Sequence, residues 1–206
     1  MEPPPSKKRK QFERTESMVP KQLKTYVNKA IKRRAEWKYH DVAVSGTASS
    51  GAFYGLNLLA IPQNATVNGR VGDKVQIQKV EWFWETRPGD NFNSVRHLLF
   101  VNNNNLTGGA GAAITSLTGP VDPDAGKVIL DQNYSVWFVA ADGATAQAEI
   151  IKYFRGKKKI VRNLLFASGV TAEPVNWKMG FQFHSDSAAL PNPGVTGYIR
   201  IWFTDM

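Results

Sequence analysis

The chain has no cysteine among its 206 residues, which excludes disulfides, thiolate metal sites and cysteine nucleophiles. Histidine is scarce too: His40, His97 and His184 are the only three. They lie far apart, inside segments with strand character, and are expected to pack or to sit at interfaces. No G-x-S-x-G or H-E-x-x-H motif accompanies them, and "GGAGAA" (108–113) lacks the Lys-Ser/Thr of a phosphate-cradling loop. Asp122 and Asp124 in "VDPDAG" could ligate calcium between subunits, but two carboxylates do not define a site, and that question stays open. No enzyme activity, cofactor or metal site is therefore expected. No apolar run approaches the ~18–20 residues that cross a bilayer. The N-terminal segment lacks the apolar stretch of a secretory signal, so the chain is expected to be intracellular where it is made. On that expectation the three N-x-S/T sequons at Asn64, Asn105 and Asn133 are chance occurrences.

What is present is basic charge, unevenly placed. The formal net charge is +9. Residues 1–36 hold eleven cations (Lys7, Lys8, Arg9, Lys10, Arg14, Lys21, Lys24, Lys29, Lys32, Arg33 and Arg34) against four acids, a net of +7. The remaining 170 residues are nearly neutral, at +2. Such asymmetry points to a polyanionic partner for the basic part. A second basic cluster, Arg155, Lys157, Lys158, Lys159 and Arg162, lies in "YFRGKKKIVRN", where Gly156 suggests an interruption or turn. Three readings stay open for it: a solvated lysine turn, a nucleic-acid contact, or a patch for acidic glycans.

Three regions follow from pattern. Residues 1–16 are proline-rich and charged and bury too little apolar surface to order alone, so a disordered basic arm is expected. Residues 17–36 place Leu23, Tyr26, Val27, Ala30 and Ile31 at helical spacing with the lysines mainly off that stripe, which predicts a basic amphipathic helix. Residues 37–206 read as β, in eight runs: Lys38–Val44, Phe53–Ala60, Lys74–Thr86, Val95–Val101, Lys127–Val139, Glu149–Val161, Trp177–His184 and Tyr198–Thr204. In "DKVQIQKVEWFWE" the apolar parity switches after Ile77, so a bulge is expected near Gln78–Lys79. "HLLFV" is apolar on both faces and suits a central strand. Trp82, Trp84, Trp137, Trp177 and Trp202 fall in the predicted strands, with core or interface as their expected fate. Arg200 and Trp202 share the outward face of the last strand, where an interface or base stacking would use them. Eight strands joined by long loops predict an all-β, eight-stranded single jelly-roll sandwich behind a basic, partly helical arm.

Two segments carry a family likeness. "LLAIPQNATVNGRVGDKVQIQKV" (58–80) places Ile61–Gln63 before Arg70-Val71-Gly72-Asp73-Lys74 and Ile77. "GKVILDQNYSVWF" (126–138) carries a hydrophobic-x-x-Asp element ending at Asp131. Together with the arm–helix–sandwich order, these segments resemble capsid proteins of small circular single-stranded DNA viruses, the circovirus-like group. Coat proteins of the satellite tobacco necrosis virus type share the plan. The arm differs from the common circovirus pattern in being lysine-rich, with acids interspersed. The resemblance implies a virion protein that self-assembles, sixty copies to a T=1 icosahedral shell, and packages single-stranded nucleic acid, DNA in preference to RNA. The eleven cations of residues 1–36 would bind it without sequence preference. Lys7–Lys10, held behind three prolines, also read as a nuclear localisation signal, which implies an import receptor as partner and the host nucleus as the place of assembly. A host attachment factor is implied without any residue to assign. The alternative is a nuclear β-sandwich nucleic-acid-binding module of cellular type.

Overall fold

The computed structural model describes residues 23, 25–26, 36–102, 117–121, 126–140, 147–167, 173–188 and 190–206. The chain divides into two units, Met1–Glu36 and Trp37–Met206. In the first, Leu23, Thr25 and Tyr26 are helical. All eleven cations of that unit, and with them the expected arm and import signal, lie outside the described residues.

The second unit is built of strands β1 (Lys38–Thr47), β2 (Tyr54–Asn57), β3 (Lys74–Arg87), β4 (Phe92–Asn102), β5 (Lys127–Ala140), β6 (Gln147–Glu149), β7 (Lys152–Leu165), β8 (Lys178–Ser185) and β9 (Gly194–Asp205). Each of the eight expected runs has its strand. The addition is β6, three residues that pair with the end of β5 from Phe138 to Ala140. It is too short for alternation to reveal.

Two antiparallel sheets result, ordered β1-β9-β3-β7 and β2-β8-β4-β5-β6. Without β6, the chain passes between the sheets so that the first and last strands pair, as do the second and second-last. That is the jelly-roll order. The parity switch in β3 is a register shift between Ile77 and Lys79 against both β7 and β9. One extra residue returns Val80 and Trp84 to the inner face already held by Val75 and Ile77, and all four are fully buried.

Trp84 lies at the centre of the core. Its ring centroid is 4.9 Å from Phe181 and 5.3 Å from His97. Burying rings such as Phe181 and Phe183 stabilises the sandwich by roughly 1.5–3 kcal/mol each. His97 is held by polar partners as well. The indole N–H of Trp84 donates to His97 Nδ1, and Nε2 meets the hydroxyl of Tyr134 at 2.7 Å, which in turn pairs with Thr86 Oγ1. An indole can only donate, so Nδ1 accepts and the imidazole is neutral. Burial agrees, pushing the His97 pKa down to about 3.

The segments that carry the family likeness act as structural buckles. Arg70 is fully buried, with Nη1 donating to the Gly72 carbonyl at 2.6 Å and to Asp73 at 3.1 Å, and its guanidinium 4.2 Å from the centroid of Phe166. Asp131 receives a bidentate pair from Arg96, at 2.8 and 2.7 Å. The same guanidinium reaches the carbonyls of Leu117 and Gly119.

Candidate nucleic-acid interface

Strand pairing fixes what each sheet turns away from the core. On β3 the inner residues are Val75, Ile77, Val80, Trp84 and Thr86, all fully buried. Their neighbours Lys79, Glu81, Phe83 and Glu85 therefore look outward. Directly opposite residues share a face. Phe83 pairs with Tyr198 and Arg155, Glu81 with Arg200 and Lys157, and Lys79 with Trp202 and Lys159. Across β9, Trp202 pairs with Tyr39 and Arg200 with Asp41. The outward face of the four-stranded sheet is thus a field of aromatic rings and cations.

That field has two halves. Toward β1 the groups satisfy one another. Arg200 makes a bidentate pair with Asp41, both contacts at 2.7 Å, and lies 4.4 Å from the Tyr39 ring centroid. The carboxylate strengthens the grip of Arg200 on its proton, raising its pKa. Glu81 accepts from Lys79 at 2.8 Å and from the Trp202 indole at 2.7 Å, and these bonds hold its carboxyl below the usual range. Lys79 in turn sits over the Trp202 ring. Toward the β7 edge the balance changes. Arg155, Lys157 and Lys159 are exposed and make no ion pair among the described residues.

Between the halves is a shallow cavity of about 290 Å³, with Phe83, Tyr198, Glu81, Arg155 and Lys157 in its lining. Phe83 and Tyr198 are 37% and 43% exposed, with their rings 6.0 Å apart. Exposed aromatic faces beside unpaired cations are the components of a single-strand stacking site: every base has a π-face, and every linkage a phosphate.

The second basic cluster is therefore placed differently from the turn that Gly156 suggested. β7 runs unbroken from Lys152 to Leu165. Gly156 is required by packing, because a Cβ there would overlap the indole of Trp82 on the neighbouring strand. Strand alternation then divides the cluster. Arg155, Lys157 and Lys159 join the outward field, while Lys158 and Arg162 pair with the inward-facing Val80 and Ile77 and take the other side of the sheet. Phe83, Tyr198 and Glu81 were absent from the expected site. Their signal was the alternation of β3 beyond its bulge, which points Phe83 away from Trp82 and Trp84.

The remaining candidates are dispersed. His184 is buried on the five-stranded sheet, and burial beside Arg96 lowers its pKa to about 4. His40 is half-buried on β1, its pKa lowered by burial. Among the described residues no three His, Asp or Glu side chains gather as a metal site would need. Asp122 and Asp124 lie outside those residues. Of the tryptophans, Trp84 and Trp177 are buried, Trp82 and Trp202 half-buried, and Trp137 is 36% exposed.

No family model and no curated protein matches the sequence. Among solved structures, that of Desmodium yellow mottle tymovirus is similar over 83% of this chain and 88% of its own, at 8% identity and a TM-score of 0.38. The infectious bursal disease virus VP2 subviral particle is similar over 82% of this chain and 42% of its own, at 10% identity and a TM-score of 0.21. Overlaps this loose carry nothing about function, and the jelly-roll assignment rests on the strand order.

Proposed function

We propose that the chain is the coat subunit of a small icosahedral virion, and that it packages single-stranded nucleic acid, DNA in preference to RNA. The observation that carries this reading is a jelly roll with one bare outward face, on which exposed rings and unpaired cations lie side by side. The resemblance of residues 58–80 and 126–138 to circovirus-like capsid proteins supports it. In this reading the cations of residues 1–36 supply most of the sequence-blind affinity. The β1-β9-β3-β7 face adds stacking through Phe83 and Tyr198 and phosphate contacts through Arg155, Lys157 and Lys159. Lys7–Lys10 act before assembly as the nuclear address.

Self-association has its own support in exposed apolar side chains. Val71, Val175 and Met206 are 58%, 54% and 65% exposed. Their backbones are hydrogen-bonded to Asp205, Leu165 and Lys74, which places them near one end of the sandwich. Phe92 and Leu190 are 58% and 84% exposed on other segments. Apolar groups left bare in this number favour burial against further copies.

Negative-stain imaging of the purified chain, with nuclease-protected nucleic acid assayed from the same sample, tests the proposal. Closed particles of roughly 20 nm, the size that sixty such subunits enclose, with protected single-stranded DNA are expected. A uniform monomer without cargo would overturn it in favour of a nuclear binding module.

A further inference from the structure

The inward half of the β7 cluster poses a separate question. Lys158 and Arg162 occupy positions that strand alternation reserves for the core side, where β7 otherwise places Phe154, Ile160 and Leu164. Two free strand edges meet there. β7 is the last strand of its sheet. At its Lys127 end, β5 has no described partner on the side away from β4, because β6 pairs only with Phe138–Ala140. Between these edges opens a cleft of about 250 Å³. Its apolar lining includes Val101, Ile129, Ile160 and Trp177, with Lys127 on the β5 side and Lys158, Lys159 and Arg162 on the β7 side.

The charge of this cleft is one-sided. Among the described residues no carboxylate lines it, and Lys127, Lys158, Lys159 and Arg162 form no ion pair. The Trp177 indole N–H, in the same lining, is buried without an acceptor. All four cations are exposed to solvent; like charges gathered at one cleft still repel each other, and a bound anion relieves that repulsion. Long cationic stems can cover apolar surface, but covering alone needs no charge, and it does not explain four cations drawn from both sheets.

We propose that this cleft is a binding site for a small phosphomonoester with an apolar body. Its phosphate is held by Arg162, Lys158 and Lys127, and its body lies on Ile129 and Ile160. The monoester form follows from charge. A terminal phosphate carries about −1.5 to −2 at pH 7 and matches several cations, whereas a carboxylate or an internal phosphodiester brings −1. Arg162 adds the planar fork suited to two phosphate oxygens. A free nucleotide and the phosphorylated end of a nucleic-acid strand share this chemistry. The site borders the outward field at Lys159, but its other cations, Lys127, Lys158 and Arg162, lie off that field, so it does not depend on the coat reading.

The test is calorimetric titration of the full chain with deoxythymidine monophosphate, thymidine and inorganic phosphate. The monophosphate should bind, inorganic phosphate should bind more weakly, and thymidine should give no signal. Binding should weaken as pH falls through about 6, where the dianion is lost. Arg162→Gln and Lys127→Gln, on opposite walls, should each weaken it about tenfold or more. Lys74→Gln, an exposed cation that lines neither cavity, should leave it unchanged. Thermal melts of each variant confirm folding, and Lys158→Gln provides a third wall position should one variant melt early. A decathymidylate with and without a 5′-phosphate separates the sources: preference for the phosphorylated strand assigns the site to strand ends, and binding of the monophosphate alone assigns it to a free nucleotide. Equal effects of Lys74→Gln and Arg162→Gln, or a flat pH profile, would overturn the proposal by showing diffuse attraction. The outward-face reading would survive that result, since it depends on Arg155, Lys157 and Lys159.

Discussion

The two sheets turn opposite kinds of surface away from the core. On the four-stranded sheet the outward residues stay open to solvent: Phe83, Tyr153 and Tyr198 are 37%, 63% and 43% exposed, and Arg155, Lys157 and Lys159 are exposed beside them. On the five-stranded sheet the outward positions around β4 and β8 are closed. Arg96, Leu98, Phe100, Gln182 and His184 are all buried, and Arg96 is tied to Asp131 and to the carbonyls of Leu117 and Gly119. One face is finished within the subunit, while the β7 half of the other presents cations that make no ion pair among the described residues. Arg96 is buried and its hydrogen bonds are all spent within the subunit, whereas an exposed, unpaired cation contributes little to folding and is available to a partner.

The largest test of this contrast is Arg96→Met. It leaves the Asp131 carboxylate and two carbonyls without their donor, and should cost roughly 3 kcal/mol in denaturant unfolding. An unchanged midpoint would mean that the closed face owes nothing to this anchor. Next comes Gly156→Val, which drives a side chain into Trp82 and should lose about 1–3 kcal/mol by the same measurement. A neutral result would show that β7 can move away from β3.

The pH dependence also separates the faces. His97 and His184 have folded pKa values depressed from 6.5 to about 3 and about 4. Below 6.5 the unfolded chain binds protons that the folded chain refuses, so their contribution is complete above pH 6.5 and is lost as pH falls toward 4. Thermal melts between pH 7 and 4 should show that decline. The His184→Gln variant should lose part of the slope, and an unaltered slope would exclude His184 as a source. The smallest expected stability change is that of Arg155→Gln, Lys157→Gln and Lys159→Gln combined, within about 0.5 kcal/mol of the parent. The same variant should lower the salt slope of single-strand binding by about 2, at ~0.7 per lost phosphate contact. A full-sized slope would place the contacts elsewhere.

Much of this was legible in the residues. The bulge followed from the switch between Ile77 and Val80, because one buried face imposes a period of two, and the central position of β4 followed from "HLLFV", which is apolar on both faces. The shared outward face of Arg200 and Trp202 could be read in the same way. Local pattern failed where a distant neighbour decides. Gly156 looked like a turn because its reason is the Trp82 ring, which only pairing brings there. The basic cluster looked like one patch because its division between two faces appears only once β7 is known to be continuous. Phe83 and Tyr198 lie 115 residues apart, and nothing short of the β3–β9 register joins them.

Which face of the sandwich meets nucleic acid decides the function assigned to Phe83, Tyr198 and the outward cations. Ultraviolet cross-linking of assembled, nuclease-treated particles, followed by peptide mapping, measures this directly. Cross-links at Phe83, Tyr198 or Trp202, reduced by the triple glutamine variant, are predicted. Adducts confined to β4, β5 and β8 would contradict the account, because the closed face would then be the one that holds the cargo.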